Sequence, residues 1–554
     1  MHLIKRLLFL SFALLLMPLP ALGASKEKLV IGITQFPSTF HPNIDAMAAK
    51  SYIHAMVARP FTTHDKNWNL VCLLCTQLPT IENGMAKPEK TPEGKDGIAV
   101  TYAIHPKATW GDGVPVSTKD VLFTWRVGRH EKSGIGNIEL YRSLYKIDVL
   151  SDKSFTLHFD KLTFDYNGIN DFNLLPAHID EANFSDPETY KNKTAYDTDP
   201  LNKGLFFGPY LITDIASGSH VILKPNPTWY GPPPKFDQIV VRAIGNTAAL
   251  EANLLSGGID MIAGELGLTI DQAISFEKRH RDKYNVIFKP GLIYEHIDLN
   301  LENPLLADVR VRRALVHAID RETISERLFD GRQPVAHTSV NPLDWVFADD
   351  VPKYEFSPDK ANALLDEAGW NTRKRGIRHN AQGEKLTFEI MTTAGNRTRE
   401  LVQQILQSQW KSVGIEITIK NEPARVFFGQ TMTERRYSGL GMYAWMSSPE
   451  NVPRTTLHSN HIPTTANNFT GQNYTAFKNA EMDALLERIE TELDKTKRLE
   501  MWRRIQHIYA EELPVIPLYF RASAFVLPKG LTGVEPTGHQ YSTTLWIENW
   551  DYQK

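Results

Sequence analysis

The stretch Leu386-Thr-Phe-Glu-Ile-Met391, Thr392-Thr-Ala-Gly-Asn396, Arg397 to Val413, Gly414, and then Ile415, Ile417 and Ile419 carries the fold in miniature. Its first six residues mix apolar and β-favouring types and read as a strand. Residues 392–396 are small and polar and read as a loop. Arg397 to Val413 has helical spacing and stops at Gly414, the residue that most readily takes the left-handed turn ending a helix. Ile415, Ile417 and Ile419 then alternate along a second strand. A strand, a helix and a strand in this order form a crossover, and a crossover implies parallel pairing. In open α/β sheets, ligands sit beyond the carboxyl ends of the strands, which is where loop 392–396 falls.

Outward from this unit, strands and helices keep alternating. Upstream, Tyr294 to Leu299 reads as a strand. Asp308 caps a helix whose apolar face is Val311, Ala314, Leu315, Ala318 and Ile319. Ser357-Pro358 opens another, with Ser as the cap, Pro at the first helical position and Gly369 as the stop. Thr247 to Leu255 is a helix ended by Gly257 and Gly258. Downstream, Asn479 to Glu512 is amphipathic, with a polar break from Thr491 to Lys497 that predicts two helices. Val515 to Phe520 is a strand, and Pro517 predicts an edge or an irregular position in it. Nearer the start, Lys28 to Thr34 reads as a buried strand, and Val100 to His105 alternates like one. Residues 82–97, rich in Gly, Pro, Lys and Glu, read as an exposed excursion. Ser117 with Asp120 three residues on predicts a capping box, followed by Val121, Leu122 and Trp125 on one face. The fold class is α/β.

The extreme N-terminus sets the compartment. Lys5 and Arg6 precede an apolar run, Leu7 to Leu16, broken only by Ser11. Pro18, Pro20 and Ala21-Leu22-Gly23 follow. This is the layout of a cleaved secretory signal, residues 1–23. No cysteine follows the cleavage region, so a soluble periplasmic protein of a Gram-negative host is expected. The remaining roughly 530 residues exceed one core and predict two or three domains. Hydrophobic residues make up 42% and charged residues 23% of the chain, and the net charge is −3. That balance argues against a nucleic-acid partner. The basic run Arg373-Lys374-Arg375 with Arg378 lies among Gly and Asn and reads as a solvated loop. Cys72 and Cys75, spaced C-x-x-C, read as a structural pair, disulfide or reduced, because no thioredoxin-like unit surrounds them.

Catalytic motifs do not emerge. The chain has no G-x-S-x-G elbow, no G-x-x-x-x-G-K-[ST] loop and no H-E-x-x-H helix. His458 and His461 lie close together, but a metal site needs further ligands from elsewhere. No cofactor and no metal are expected.

Trp110-Gly-Asp-Gly-Val-Pro-Val-Ser-Thr-Lys-Asp120-Val-Leu-Phe-Thr124 resembles the W-x-D-G-x-P-x-[ST]-x-x-D-V-x-F-[ST] signature of the peptide/nickel/opine-type extracellular solute-binding proteins. Supporting matches follow in order. They are Gly208-Pro209-Tyr210, Asn226 to Tyr230 with its two aromatics exchanged, Ser256 to Asp260, Asn300 with Arg310 to Asp320, Leu364 to Trp370, and Pro514 to Leu518. The resemblance implies a receptor for an ABC importer rather than an enzyme. It implies a periplasmic-binding-protein fold of two lobes around a cleft plus a smaller α+β domain. Lobe I comprises 24–60, 200–291 and 516–554; the small domain 61–199; and lobe II 292–515. Hinge closure on a short peptide or peptide-like solute, recognised by the inner-membrane permease, is the implied mechanism, with the receptor acting as a monomer.

The same resemblance points to ligand residues. In peptide-binding relatives a W-x-x-D segment follows a strand, and its Asp pairs with the peptide's amino terminus. Here Trp445-Met446-Ser447-Ser448-Pro449-Glu450 puts Ser448 at the Asp position. A hydroxyl lacks the charge-assisted bond a carboxylate gives an ammonium. Either Glu450 or Glu295 supplies the charge, or the ligand is a non-peptide solute such as an opine, a sugar-phosphate conjugate or a metal–chelator complex. Trp445 offers a stacking surface. Tyr294 and Glu295 match the strand that passes the ligand, and Ser447 adjoins it. Phe40 and Asp45 fall in the first loop, at the cleft edge. Asn468 and Phe469 fall in the loop near the ligand in lobe II.

Overall fold

The computed structural model describes residues 28–44, 47–135, 137–423, 426–467 and 471–553. The expected signal segment and Asp45, Asn468 and Phe469 lie outside the described residues. The central unit folds as the sequence reads. Strands Thr387–Met391 and Glu416–Ile419 pair in parallel, Thr387 opposite Glu416, across helix Arg397–Ser412. Gly414 follows that helix with φ +90°, the left-handed conformation that favours glycine.

These strands form one edge of a ten-stranded mixed sheet. Its order is Glu416–Ile419, Thr387–Met391, Leu440–Met446, Tyr284–Leu299, Val515–Pro528, Met261–Ile262, Lys28–Ile33, Gln238–Ala243, His220–Pro225 and Tyr210–Ala216. Pairing is parallel around Thr387–Met391 and around Lys28–Ile33. Between these two clusters run the long antiparallel strands Tyr284–Leu299 and Val515–Pro528. Their register slips between Pro290 and Tyr294 and again between Glu295 and His296. Pro517 sits at the second slip, which accommodates its missing N–H inside a central strand. The irregular position expected of Pro517 is therefore found, but the edge position is not.

A second, four-stranded antiparallel sheet has the order Ala86–Lys90, Asp96–Ala103, Ser154–Phe159 and Leu144–Ser151. Residues 82–97 are thus not wholly loop: Ala86–Lys90 is an edge strand, where Pro88 needs no partner for its nitrogen. The small sheet's Ile98, Val100, Tyr102, Phe155 and Leu157 join Leu29, Ile31 and Ile239 of the large sheet in one buried cluster. A separate cluster gathers Ile297, Leu299, Phe388, Ile390, Leu440 and Met442 under Val402, Leu406 and Trp410 of the crossover helix.

The Trp110–Thr124 stretch is a structural device. Ser117 and Asp120 form the capping box of helix Thr118–Gly128, with the Ser117 N–H donating to Asp120 at 2.8 Å. The same carboxylate accepts the Trp110 indole N–H at 3.3 Å and the Ala177 N–H at 2.9 Å. One side chain therefore locks the turn, the helix and a distant segment together. Val121, Phe123 and Val127 form the inner face, while Leu122 is exposed. Asn226 donates to the Gly208 carbonyl at 2.9 Å, which ties its segment to Gly208-Pro209-Tyr210. Gly208 is pressed against the Val57–Ala58 backbone, where a Cβ would come within 2.4 Å. Cys72 and Cys75 are joined as a disulfide. The polar break in the C-terminal helical stretch separates Ala480–Ile489 from Lys495–Glu512.

Candidate functional site

Strand alternation decides which side chains can meet a ligand. Tyr294 pairs across the sheet with Trp445, and His296 with Tyr443. Successive strand residues point to opposite faces, so Tyr294, His296 and Asp298 share a face with Tyr443 and Trp445. Ile297 and Leu299 point the other way, into the core beneath the crossover helix.

The first face opens on a cavity of about 330 Å³. Tyr294, Asp298, Trp445, Ser447, Ser448 and Asp344 contribute to its wall. Trp445 lies parallel to Tyr474 at 6.2 Å and edge-on to Tyr443 at 5.6 Å, which holds its ring in place. The Tyr294 and Tyr509 hydroxyls are 3.4 Å apart, and burial pushes both phenols above their ordinary range. The remaining wall is rich in neutral hydrogen-bonding groups, among them Ser339, Asn341, Asn451 and Gln472.

A larger cleft of about 950 Å³ adjoins this cavity and shares Ser448 and Asn451 with it. One wall comes from Trp68 and the segment Thr163 to Asp171, the other from Trp345, Pro449, Glu450 and Arg498. Among the described residues the two walls meet at Glu490 and Arg498. Lys161 Nζ donates to Glu490 Oε2 at 2.6 Å, and the Phe164 N–H donates to the Glu490 carbonyl at 2.9 Å. The Arg498 guanidinium stacks 4.7 Å from the centre of the Phe164 ring. Arg454 donates to the same Glu490 oxygen at 3.0 Å.

The residues singled out from sequence divide clearly. Tyr294, Trp445, Ser447 and Ser448 line the cavity together. Glu450 lines the adjoining cleft, but its carboxylate is already engaged by Arg498 Nε at 2.8 Å and by the Trp345 indole N–H at 3.0 Å. Burial still holds the Glu450 pKa above the usual carboxylate value. Glu295 is completely buried and lines neither space. Its two oxygens are taken by Arg399 Nε at 2.5 Å and by Arg521 Nη2 at 2.6 Å. Phe40 is buried in the large core cluster, edge-on to Phe36 at 6.5 Å, and lines neither space.

Asp298, Asp344 and Trp502 line the cavity without having been singled out from sequence. Asp298 was accessible in principle, since it lies four residues from Tyr294 on the same strand face. Asp344 sits in an irregular segment after Asn341-Pro342 and carries no local pattern. Its place comes from a tertiary contact, in which its Oδ2 accepts the Glu450 N–H at 2.7 Å. The ring of His458 is edge-on to His461, and its nitrogens face Asp483 and Glu487. Among the described residues no group of three or more His, Cys, Asp or Glu side chains is placed to hold a metal ion.

A mixed sheet whose two halves are joined by a pair of long strands, with a polar and aromatic cleft beside the join, defines a solute-binding protein. Residues 80–464 match the model of the bacterial extracellular solute-binding proteins, family 5. The chain belongs to that family, and its role is that of the substrate-binding component of an ABC importer. It is 25% identical to the oligopeptide-binding protein AppA of Bacillus subtilis (strain 168), over 94% of this chain and 91% of that protein. The oligopeptide-binding protein of Thermus thermophilus, solved with a pentapeptide, superposes with a TM-score of 0.69 at 29% identity, covering 95% of this chain and 96% of the other. NikA of Brucella suis, solved with Fe(III)-EDTA, superposes with a TM-score of 0.76 at 18% identity, covering 95% of this chain and all of that one. The last likeness speaks for the fold alone.

Proposed function

We propose that this protein is a periplasmic receptor that captures short peptides or peptide-like solutes, closes on them and presents them to an inner-membrane permease. The observation that carries the reading is the cavity wall itself. It sets the aromatic faces of Trp445 and Tyr294 among neutral donors and acceptors, from Ser447 and Ser448 to Asn341, Asn451 and Gln472. Such a wall suits a chain of amides with varied side chains. Rings take apolar groups, and hydroxyls and carboxamides satisfy backbone N–H and C=O groups that would otherwise be buried unpaired. An anionic chelate would ask for lysine or arginine, and among the described residues this wall has none.

The division into lobe I (24–60, 200–291, 516–554), a small domain (61–199) and lobe II (292–515) supports a closing motion. Only the long strands Tyr284–Leu299 and Val515–Pro528 run from one half of the large sheet into the other, and their register slips lie between the halves. The N-terminal signal segment and the family's extracellular character support export to the periplasm. No step of bond making or breaking is assigned to the cleft, and the receptor works as a monomer.

Isothermal titration of the purified protein with a mixed pool of tri- to pentapeptides tests this. Saturable binding with the peptides recovered intact is the expected result. Absence of binding, or recovery of cleaved peptides, overturns the proposal.

A further inference from the structure

Among the described residues the cavity of about 330 Å³ is charged in one sense only. Their side chains bring two carboxylates to its wall, Asp298 and Asp344, and no lysine, arginine or histidine. Asp344 is 6% exposed, and among the described residues its oxygens accept main-chain N–H groups alone, from Glu450 at 2.7 Å, from Val346 at 3.4 Å and from Trp345. No ion pair reaches it among the described residues. Arg498, on the adjoining cleft, is bound to Glu450 instead. Asp298 is 4% exposed and accepts the Tyr443 hydroxyl at 2.6 Å, with His296 Nε2 at 3.4 Å from its other oxygen. A carboxylate withdrawn from water without a counter-ion is costly, and a ligand that brings a cation recovers that cost. Burial accordingly holds the Asp344 pKa above the ordinary carboxylate value.

A second observation points to a ligand at the same place. Trp502 is 1% exposed and lines this cavity, and its indole N–H meets no acceptor among the described residues. A buried donor without an acceptor is unfavourable until an oxygen is supplied. Two carboxylates and one free donor call for a cationic nitrogen close to an oxygen acceptor. Among the described residues no group of three or more His, Cys, Asp or Glu side chains gathers at this pair.

We infer that Asp344, together with Asp298, receives an ammonium group of the ligand, with Trp502 donating to a neighbouring oxygen of the same ligand. The inference rests on the peptide reading above and deepens it. Asp344 reaches the cavity beside Ser448, since it holds the N–H of Glu450 two residues further on. The negative charge that Ser448 lacks thus arrives from a different segment of the chain.

Three synthetic probes test this: a pool of lysine-free tri- to pentapeptides, the same pool N-acetylated, and the N-acetylated pool with one lysine per peptide. They are titrated into the wild-type protein, Asp344→Asn and Asp298→Asn, with unfolding curves to confirm each fold. The expected result is a loss of about tenfold or more on acetylation of the ligand. The same loss is expected for Asp344→Asn with the free pool, and little further change is expected with the acetylated pool. Recovery with the lysine pool assigns the site to any ammonium, and no recovery assigns it to the α-amino terminus. If Asp344→Asn does not fold, Asp298→Asn and the wild-type comparison of free and acetylated pools decide. Equal binding of free and acetylated pools overturns the inference and leaves the peptide reading standing. Failure of every pool overturns both.

Discussion

If the receptor closes as proposed, the contacts that bridge the cleft mouth stabilise its closed form. Lys161 and Phe164 come from one wall of the cleft, and Glu490 and Arg498 from the other. Consider the double variant Lys161→Met with Phe164→Ala. The Lys161–Glu490 pair is partly exposed, with side-chain exposures of 54% and 19%, and such pairs are worth about 0.5 kcal/mol. The Arg498–Phe164 stack is better shielded, since the Arg498 side chain is 9% exposed, and a cation over a ring there is worth about 1 kcal/mol. Together the two losses amount to about 1.5 kcal/mol, close to tenfold in the ratio of closed to open forms. The ligand's affinity falls by the same factor, mainly through faster release. Titration calorimetry gives the affinity and stopped-flow tryptophan fluorescence the release rate. Neither residue belongs to the buried core, so the unfolding curve stays close to that of the wild type. Affinity and release rate both unchanged within twofold would refute the claim that these contacts stabilise closure.

Three further outcomes follow from the geometry. Asp120→Ala strands the Ser117 and Ala177 N–H groups and the Trp110 indole N–H, and urea unfolding is expected to show a loss of about 3 kcal/mol. Arg498→Met leaves Glu450 buried without its cation, a loss of about 3 kcal/mol or more, whereas adding Glu450→Gln restores most of it because Gln keeps the Trp345 bond; a double variant no better than the single contradicts this. Burial lowers His64 and His539 from 6.5 to about 4, and His539 Nδ1 also accepts the Tyr541 N–H, so protonation is resisted in the fold. Because the folded values are depressed, the stability these rings contribute is complete above pH 6.5 and is lost as pH falls toward 4, by up to about 3 kcal/mol each. Urea midpoints measured from pH 7 to pH 4 should fall less in His539→Gln than in the wild type, and parallel curves would contradict the assignment.

The crossover unit was legible because both of its periods are printed in the residues, alternation in Ile415, Ile417 and Ile419 and helical spacing from Arg397 to Val413. The pairing of Tyr284–Leu299 with Val515–Pro528 was not. It joins segments far apart in sequence, and Pro290, Pro517 and Pro528 obscure the strands until the register slips are seen. The Gly, Pro, Lys and Glu of residues 82–97 suggest a loop, yet an edge strand tolerates the same composition.

At the site, Tyr294 and Trp445 were found through resemblance, and cross-strand pairing brings them together. Glu295 was adjacent in sequence but lies one residue off the ligand face, where two arginines claim it. Glu450 was the right distance from Ser448, yet no local pattern tells that Arg498 already neutralises it. Asp344 had no sequence signal because its position depends on a loop folding back onto residue 450.

The most direct test of the central claim is native mass spectrometry of the protein purified from periplasm without refolding, followed by denaturation and identification of what is released. The account predicts a ladder of short peptides, each with an unblocked amine, present on the wild-type protein and depleted on Asp344→Asn. A single non-peptide mass or a metal adduct, retained equally by both proteins, would contradict it.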